Sequence, residues 1–70
     1  MAGLKKRSVV LAGHATSLAL EPEFWTALAR MAQAEDLSLA ALIGRIDGGR
    51  GDRPLASACR IAALAYGRDD

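Results

Sequence analysis

The sequence predicts a mostly helical fold that begins with one β-strand. Alanine and leucine supply much of a 51% hydrophobic content, and only 4% of the residues are aromatic, which favours helices over sheets. A short alternating run at Thr16–Leu20 stops at Glu21-Pro22, where apolar residues at helical spacing begin at once. Two further helical patterns follow, separated by a break at 37–38 and a glycine-rich stretch at 48–51.

The strand is preceded by a segment with two open interpretations. Residues 8–12, SVVLA, are β-branched and apolar and fit either a strand or an extended arm, and Gly13 interrupts them as a bend or bulge would. After Gly13, the alternation of side chains along the strand places Leu18 and Leu20 on one face, and we expect the opposite face to be exposed to solvent. That solvent face carries Ala15, Ser17 and Ala19.

Three helices account for most of the remaining chain. Pro22 fits the first turn of a helix that runs to about Asp36. Ser38 is a good N-cap for a second helix, which should end near Asp47 because glycines follow. A third helix is expected from about Pro54. Their apolar faces are predicted to contain Phe24, Trp25, Leu28, Met31, Ala32, Leu39, Leu42, Ile43, Ile46, Leu55, Ala58, Cys59, Ala62 and Tyr66.

Length and composition indicate one small domain. Seventy residues bury little apolar surface, and chains of this size often oligomerise. We interpret residues 1–7 as a basic N-terminal arm, 8–66 as the domain and 67–70 as a frayed tail. With no signal-peptide pattern and no run of 18 or more apolar residues, we expect a cytoplasmic protein that does not enter a membrane.

The charged and reactive residues do not form a recognisable catalytic or metal site. His14 lacks a nucleophile or orienting partner and lacks further ligands at metal-site spacing. Cys59 lies on the apolar side of its helix, which predicts a buried, inert thiol, and Arg60 is expected to form a surface ion pair. The sequence therefore predicts a protein that is not an enzyme and needs no cofactor or metal.

The lone strand has a further implication. One strand cannot satisfy its own backbone N–H and C=O groups, whereas the same strand of a second chain could. Two-fold symmetry would then produce an antiparallel two-stranded ribbon with helices closing around a shared core. The sequence therefore predicts an intertwined homodimer.

The segments RSVVLAGHATSLALEPEFWTALARMA, LSLAALIGRID and LASACR together resemble the ribbon-helix-helix family, to which the Arc and MetJ repressors belong. The resemblance is closest to a bacterial subgroup with a GHxTSxxLEPEFW stretch and covers roughly residues 7–64. It implies a ribbon that enters the DNA major groove and a second-helix N-terminus that contacts phosphate at Ser38 and Leu39, in agreement with the N-cap assignment.

The resemblance and the charge distribution together give a set of candidate DNA-binding residues. Residues 1–20 contain three basic residues and no acid, as a polyanion partner would favour. The candidates are Lys5, Lys6, Arg7, His14, Ala15, Ser17, Ala19, Ser38 and Leu39.

The ribbon face departs from the usual family pattern of longer polar or basic side chains. Two alanines cannot make bidentate contacts to base edges, and only Ser17 can form a hydrogen bond. Either sequence specificity is modest, or the basic arm and His14 supply it, or the ribbon binds another partner. The leading hypothesis is a homodimeric transcriptional regulator that binds double-stranded DNA. The alternative is a small dimeric protein-interaction module, antitoxin-like or an adaptor, with weak DNA binding.

Overall fold

Two β-strands and three α-helices follow one another along the chain in the computed structural model, which describes residues 3–68. The strands form one antiparallel hairpin, and the helices pack against one of its faces. The elements are β1 (Lys5–Leu11), β2 (His14–Leu20), α1 (Pro22–Ala34), α2 (Leu39–Gly48) and α3 (Leu55–Arg68). The mostly helical class and the additional C-terminal helix are therefore confirmed.

A two-residue turn at Ala12-Gly13 joins the strands. Both residues have positive φ, 50° and 83°, as the two central residues of a type I′ hairpin turn must. Gly13 adopts this conformation without steric cost, whereas Ala12 is a residue type that rarely does. The register runs from Leu11 opposite His14 at the turn to Lys5 opposite Leu20 at the open end.

The hairpin corrects two expectations. The structure has two strands rather than one, because the turn at Gly13 reverses the chain and lets residues 5–11 pair with 14–20. Lys5, Lys6 and Arg7 accordingly belong to β1 rather than to an arm outside the domain. Since the strand already has a partner in its own chain, the need for a second chain no longer follows from an unpaired strand.

The first helix begins and ends through local backbone features. Pro22 occupies the first turn, where its missing N–H leaves no hydrogen bond unmade. The helix ends at Ala34, two residues before the expected boundary, because Asp36 turns into the left-handed region with φ of 60°. The Leu37 amide then donates to the Ala32 carbonyl at 2.8 Å, which closes the helix end.

The other two helices begin close to the predicted positions. Ser38 caps α2, and its hydroxyl accepts a hydrogen bond from the Ala41 amide at 3.0 Å. α3 begins one residue after Pro54 and continues through Arg68, so the expected frayed tail is helical at 67–68; residues 69–70 lie outside the described part of the chain. Within residues 3–68, no helix has the length and apolar character needed to cross a membrane.

The single chain closes a hydrophobic core between the hairpin and the helices. The most deeply buried side chains come from β2 and from all three helices, so every element except β1 contributes to the centre. They are Leu20, Leu28, Leu42, Ile43 and Cys59. Val9 and Leu11 add β1 at the edge of this core.

Candidate nucleic-acid interface

The hairpin has an inner and an outer face of opposite character. Residues paired across an antiparallel sheet project to the same side, and the register therefore assigns every strand residue to a face. On the inner face Val9, Leu11, Leu18 and Leu20 are buried against the helices. The outer face consists of Lys6, Ser8, Val10, Ala15, Ser17 and Ala19. All six are exposed except Ala19, which is half-buried.

Small and polar side chains dominate the outer face. Ser8 lies opposite Ser17 at its centre, Lys6 lies opposite Ala19, and Val10 lies opposite Ala15. The face contains one cation and no carboxylate, and Val10 is 62% exposed. The predicted solvent face of Ala15, Ser17 and Ala19 is therefore present, but β1 doubles its width and adds Ser8, Val10 and the candidate residue Lys6.

The outward edge of β2 presents unpaired backbone groups. After a two-residue turn the flanking residues form a hydrogen-bonded pair, and bonded and non-bonded pairs then alternate. Leu11 and His14 are such a bonded pair. The N–H and C=O groups of Ala15, Ser17 and Ala19 consequently point away from β1. They form a row of donors and acceptors along the free edge, with Ser17 at its middle.

The three basic residues of β1 are divided between the two faces. Lys6 belongs to the outer face, whereas Lys5 and Arg7 lie opposite the buried Leu20 and Leu18. The Arg7 guanidinium stacks on the Trp25 ring, 4.8 Å from its centroid, a cation–π contact. The Trp25 indole Nε1 donates to the Lys5 carbonyl at 2.8 Å. This end of β1 is thereby attached to α1.

The remaining predicted site residues lie elsewhere. His14 is exposed and opens β2 on the inner-face side, opposite Leu11, so it does not share a face with Ala15. Ser38 and Leu39 lie at the start of α2, beside a groove that also includes Asp36 of the preceding loop. The first two amides of α2, at Leu39 and Ala40, precede the first helical hydrogen bond, as at any helix start.

Among the described residues 3–68, three ion pairs link the helices and loops. Arg45 bonds Glu35 at 2.6 Å between α2 and the end of α1. Arg50 bonds Asp47 at 2.6 Å and the Arg53 carbonyl at 2.7 Å, so its side chain bridges the two ends of the glycine-rich loop. The third pair links α3 to the start of α1.

That third pair confirms the sequence interpretation of Arg60. Its Nε donates to Glu21 Oε1 at 2.9 Å. A hydrogen bond at the Glu21 backbone and the bond from Arg60 lower the pKa of the Glu21 carboxyl. Burial raises the pKa of the Cys59 thiol, which agrees with the expectation of an inert cysteine. In the described residues, no three histidine, cysteine or acidic side chains cluster as metal ligands.

Sequence reasoning missed Ser8 and Val10 as members of the outer face. The available signal was the pair of apolar-leaning runs on either side of Ala12-Gly13, whose two-residue spacing is that of a hairpin. Ala-Gly is a weak form of this signal, since Asn-Gly and Asp-Gly are the usual type I′ sequences.

Comparison with known proteins identifies the family to which the chain belongs. No curated protein and no solved structure matches the chain. A family model described as a ribbon-helix-helix domain matches residues 4–67, which include both strands and nearly all of α3. The match concerns the family, and membership of the subgroup with the GHxTSxxLEPEFW stretch stays a prediction. With its hairpin followed by helices, the chain belongs to the ribbon-helix-helix family of DNA-binding regulators.

Proposed function

We propose that this protein is a homodimeric transcriptional regulator that binds double-stranded DNA through the outer faces of two hairpins. The observation that carries the proposal is the outer face itself: it is exposed, lacks carboxylates and ends at an unpaired β2 edge. A surface with a cation and no carboxylate suits a polyanion partner, and an unpaired edge is a template for a second strand.

The dimer follows from the free groups on β2. A two-fold axis at Ser17 pairs Ala15 of one chain with Ala19 of the other, because these residues and Ser17 carry the outward N–H and C=O groups. The result is a four-stranded sheet in which the two β2 strands are central and the two β1 strands flank them. Each chain keeps its own core, so the dimer is joined by strands rather than intertwined.

The sheet dimensions fit a major groove. Neighbouring strands are about 4.8 Å apart, so the central pair fits a groove about 12 Å wide, and each β1 lies about 7 Å from the midline. This places Ala15, Ser17 and Ala19 towards base edges and Lys6 beside the phosphates of the groove walls. The start of α2, at Ser38 and Leu39, is proposed to contact phosphate with its backbone amides.

The proposal excludes three of the sequence candidates from DNA contact. Lys5 and Arg7 lie on the face that packs towards α1, and Arg7 already stacks on Trp25. His14 projects to that side as well. In the proposed complex these residues stabilise the end of β1 or face solvent, and the outer face alone meets the groove.

A protein-interaction module with weak DNA binding is the second candidate. It is favoured by apolar side chains that remain outside the core on α3, where Ile61 is 45% and Leu64 is 58% exposed. Exposed apolar residues at helical spacing are what a partner surface would need. Under this alternative the dimer would form, but the outer face would show no preference for a duplex over a neutral competitor.

The free edge provides a decisive experiment. Ser17→Pro removes an N–H that points to solvent in one chain, so the hairpin and core should remain folded while dimerisation and DNA binding are lost. Ser8→Pro is the matched control: it lies directly opposite Ser17 and removes the equivalent N–H on the outer edge of β1. Sedimentation, circular dichroism and titration with random duplex DNA measure the three properties.

The proposal predicts a folded monomer for Ser17→Pro and a folded dimer for Ser8→Pro. A dimer that survives Ser17→Pro and dissociates with Ser8→Pro would show that copies pair through β1 instead. A wild-type dimer with no salt-dependent affinity for any duplex would contradict the DNA function and leave the interaction module.

A further inference from the structure

The outer face contains side chains whose chemistry suits a specific feature of DNA. Apart from Lys6 and the two serines, it presents only the methyl-bearing side chains of Val10, Ala15 and Ala19. None of these three donates or accepts a hydrogen bond. In the major groove the one apolar group on a base pair is the thymine C5-methyl, and alanine is among the residues that contact it.

We propose that the outer face reads thymine methyl groups through Ala15 and Ala19. The inference rests on the proposed function, since it specifies which base feature the dimeric hairpins recognise. Such contacts would let a ribbon without long polar side chains carry sequence information, because the small alanine side chains select thymine by apolar contact.

The pairing of the two chains concentrates these methyl groups. Each Ala15 lies beside the partner's Ala19 in the proposed dimer, and Val10 lies next to Ala15 across the hairpin. These residues form one apolar strip, and the two-fold axis generates a second. Between the strips runs a row of hydroxyls from Ser8 and Ser17 of both chains.

The spacing of the strips predicts the spacing of the thymines. Ala15 and Ala19 are four residues apart on one strand, which corresponds to about 13 Å at about 3.3 Å per residue. Base pairs rise about 3.4 Å along the helix axis. Because the groove is inclined to the helix axis, thymines should therefore recur about three to four base pairs apart, symmetrically about the centre of the site, with the central pairs facing the serine row.

Removal of the thymine methyl tests the inference directly. A duplex is selected from a random library with the wild-type dimer, and the same duplex is made with uracil in place of every thymine in the protected region. Uracil keeps each hydrogen-bonding group and lacks only the methyl. Burial of one methyl is worth about 0.8 kcal/mol, equivalent to about a fourfold change in affinity, so the uracil duplex should bind about fourfold more weakly for each methyl contacted.

Substitutions in the protein should also change the ratio of the affinities for the thymine and uracil duplexes. Ala15→Ser introduces a hydroxyl at the strip and should lower the thymine-to-uracil affinity ratio, whereas Ala65→Ser makes the same change on the exposed surface of α3 and should keep the wild-type ratio. Serine is close to alanine in size, so both variants should keep the wild-type fold. Measurements of dimerisation and thermal stability check this. Ala19→Ser provides the second variant at the strip.

The outcomes separate this inference from the proposed function. Selection of duplexes with paired thymines and a ratio that falls only in the strip variants supports methyl reading. Equal affinity for thymine and uracil duplexes, with tight binding retained, overturns methyl reading and leaves the DNA function intact. Failure of the wild-type dimer to enrich any duplex overturns the proposed function and methyl reading together.

Discussion

The two faces of the hairpin differ sharply in solvent exposure. Leu18 and Leu20 on the inner face are 3% and 0% exposed, whereas Val10 on the outer face is 62% exposed, although all three belong to the same two strands. Along each strand, neighbouring side chains point to opposite faces of the sheet. Substitution on the inner face should therefore change stability, and substitution on the outer face should change binding.

Proline on the inner face is the most severe way to break this division. Leu18 forms a bonded pair with Arg7 across the hairpin, so Leu18→Pro removes both a ladder hydrogen bond and a buried side chain. We expect loss of the fold and of the dimer, observed by circular dichroism and sedimentation. A folded Leu18→Pro protein would contradict this role of the inner face.

Alanine substitutions at Leu18 and at its neighbour Ser17 compare the two faces by their effect on stability. Leu18→Ala should lower the free energy of unfolding by about 3 kcal/mol because it leaves a cavity in the core, whereas the adjacent Ser17→Ala should stay within about 0.5 kcal/mol. Urea denaturation measures both.

A second pair of neighbours tests binding. Lys6 is on the outer face and Lys5 on the inner face, so Lys6→Ala should flatten the dependence of log affinity on log salt by about 0.9 for each lost phosphate contact, or about 2 for the dimer. Lys5→Ala should leave that slope unchanged, and Lys6→Arg should preserve it. Titration of one duplex between low and moderate salt measures the slope. Equal slopes for the two alanine variants would show that Lys6 contacts phosphate no more than Lys5 does, which would contradict DNA binding through the outer face.

The remaining prediction concerns the start of α2, outside the hairpin. Ser38→Ala removes the hydroxyl that accepts from the Ala41 amide and should cost about 1 kcal/mol of stability. It should also weaken binding to preferred and scrambled duplexes alike, because phosphate contacts carry no sequence information. Thermal melts and paired titrations provide the measurement. A change in sequence preference would place α2 at base edges instead of phosphate.

Much of the fold could be predicted because its signals are local. The cap at Ser38, the burial of Leu42 and Ile43 and the start of α3 near Pro54 all follow from spacing and from single residues. The ion pair of Arg60 was expected as a surface contact and is present. The number of strands could not be predicted as readily, because Ala-Gly is a weak turn sequence and Ala12 rarely adopts positive φ.

The division of the basic residues depends on distant contacts. Lys5, Lys6 and Arg7 look alike in the sequence, and only the register with β2 assigns them to faces. The anchor of this segment is the Trp25 indole, whose acceptor at Lys5 is 20 residues away. Neither the pairing of β1 with β2 nor this hydrogen bond produces a periodic pattern in the sequence. The sequence alone therefore favours a basic arm at residues 1–7.

The core that each chain closes on its own has a kinetic consequence. Strands joined by a two-residue turn and helices joined by short loops bring together residues that are near in sequence, and such topologies fold quickly. Because the hairpin, the helices and the core between them lie within one chain, we expect the rate of folding to be independent of protein concentration.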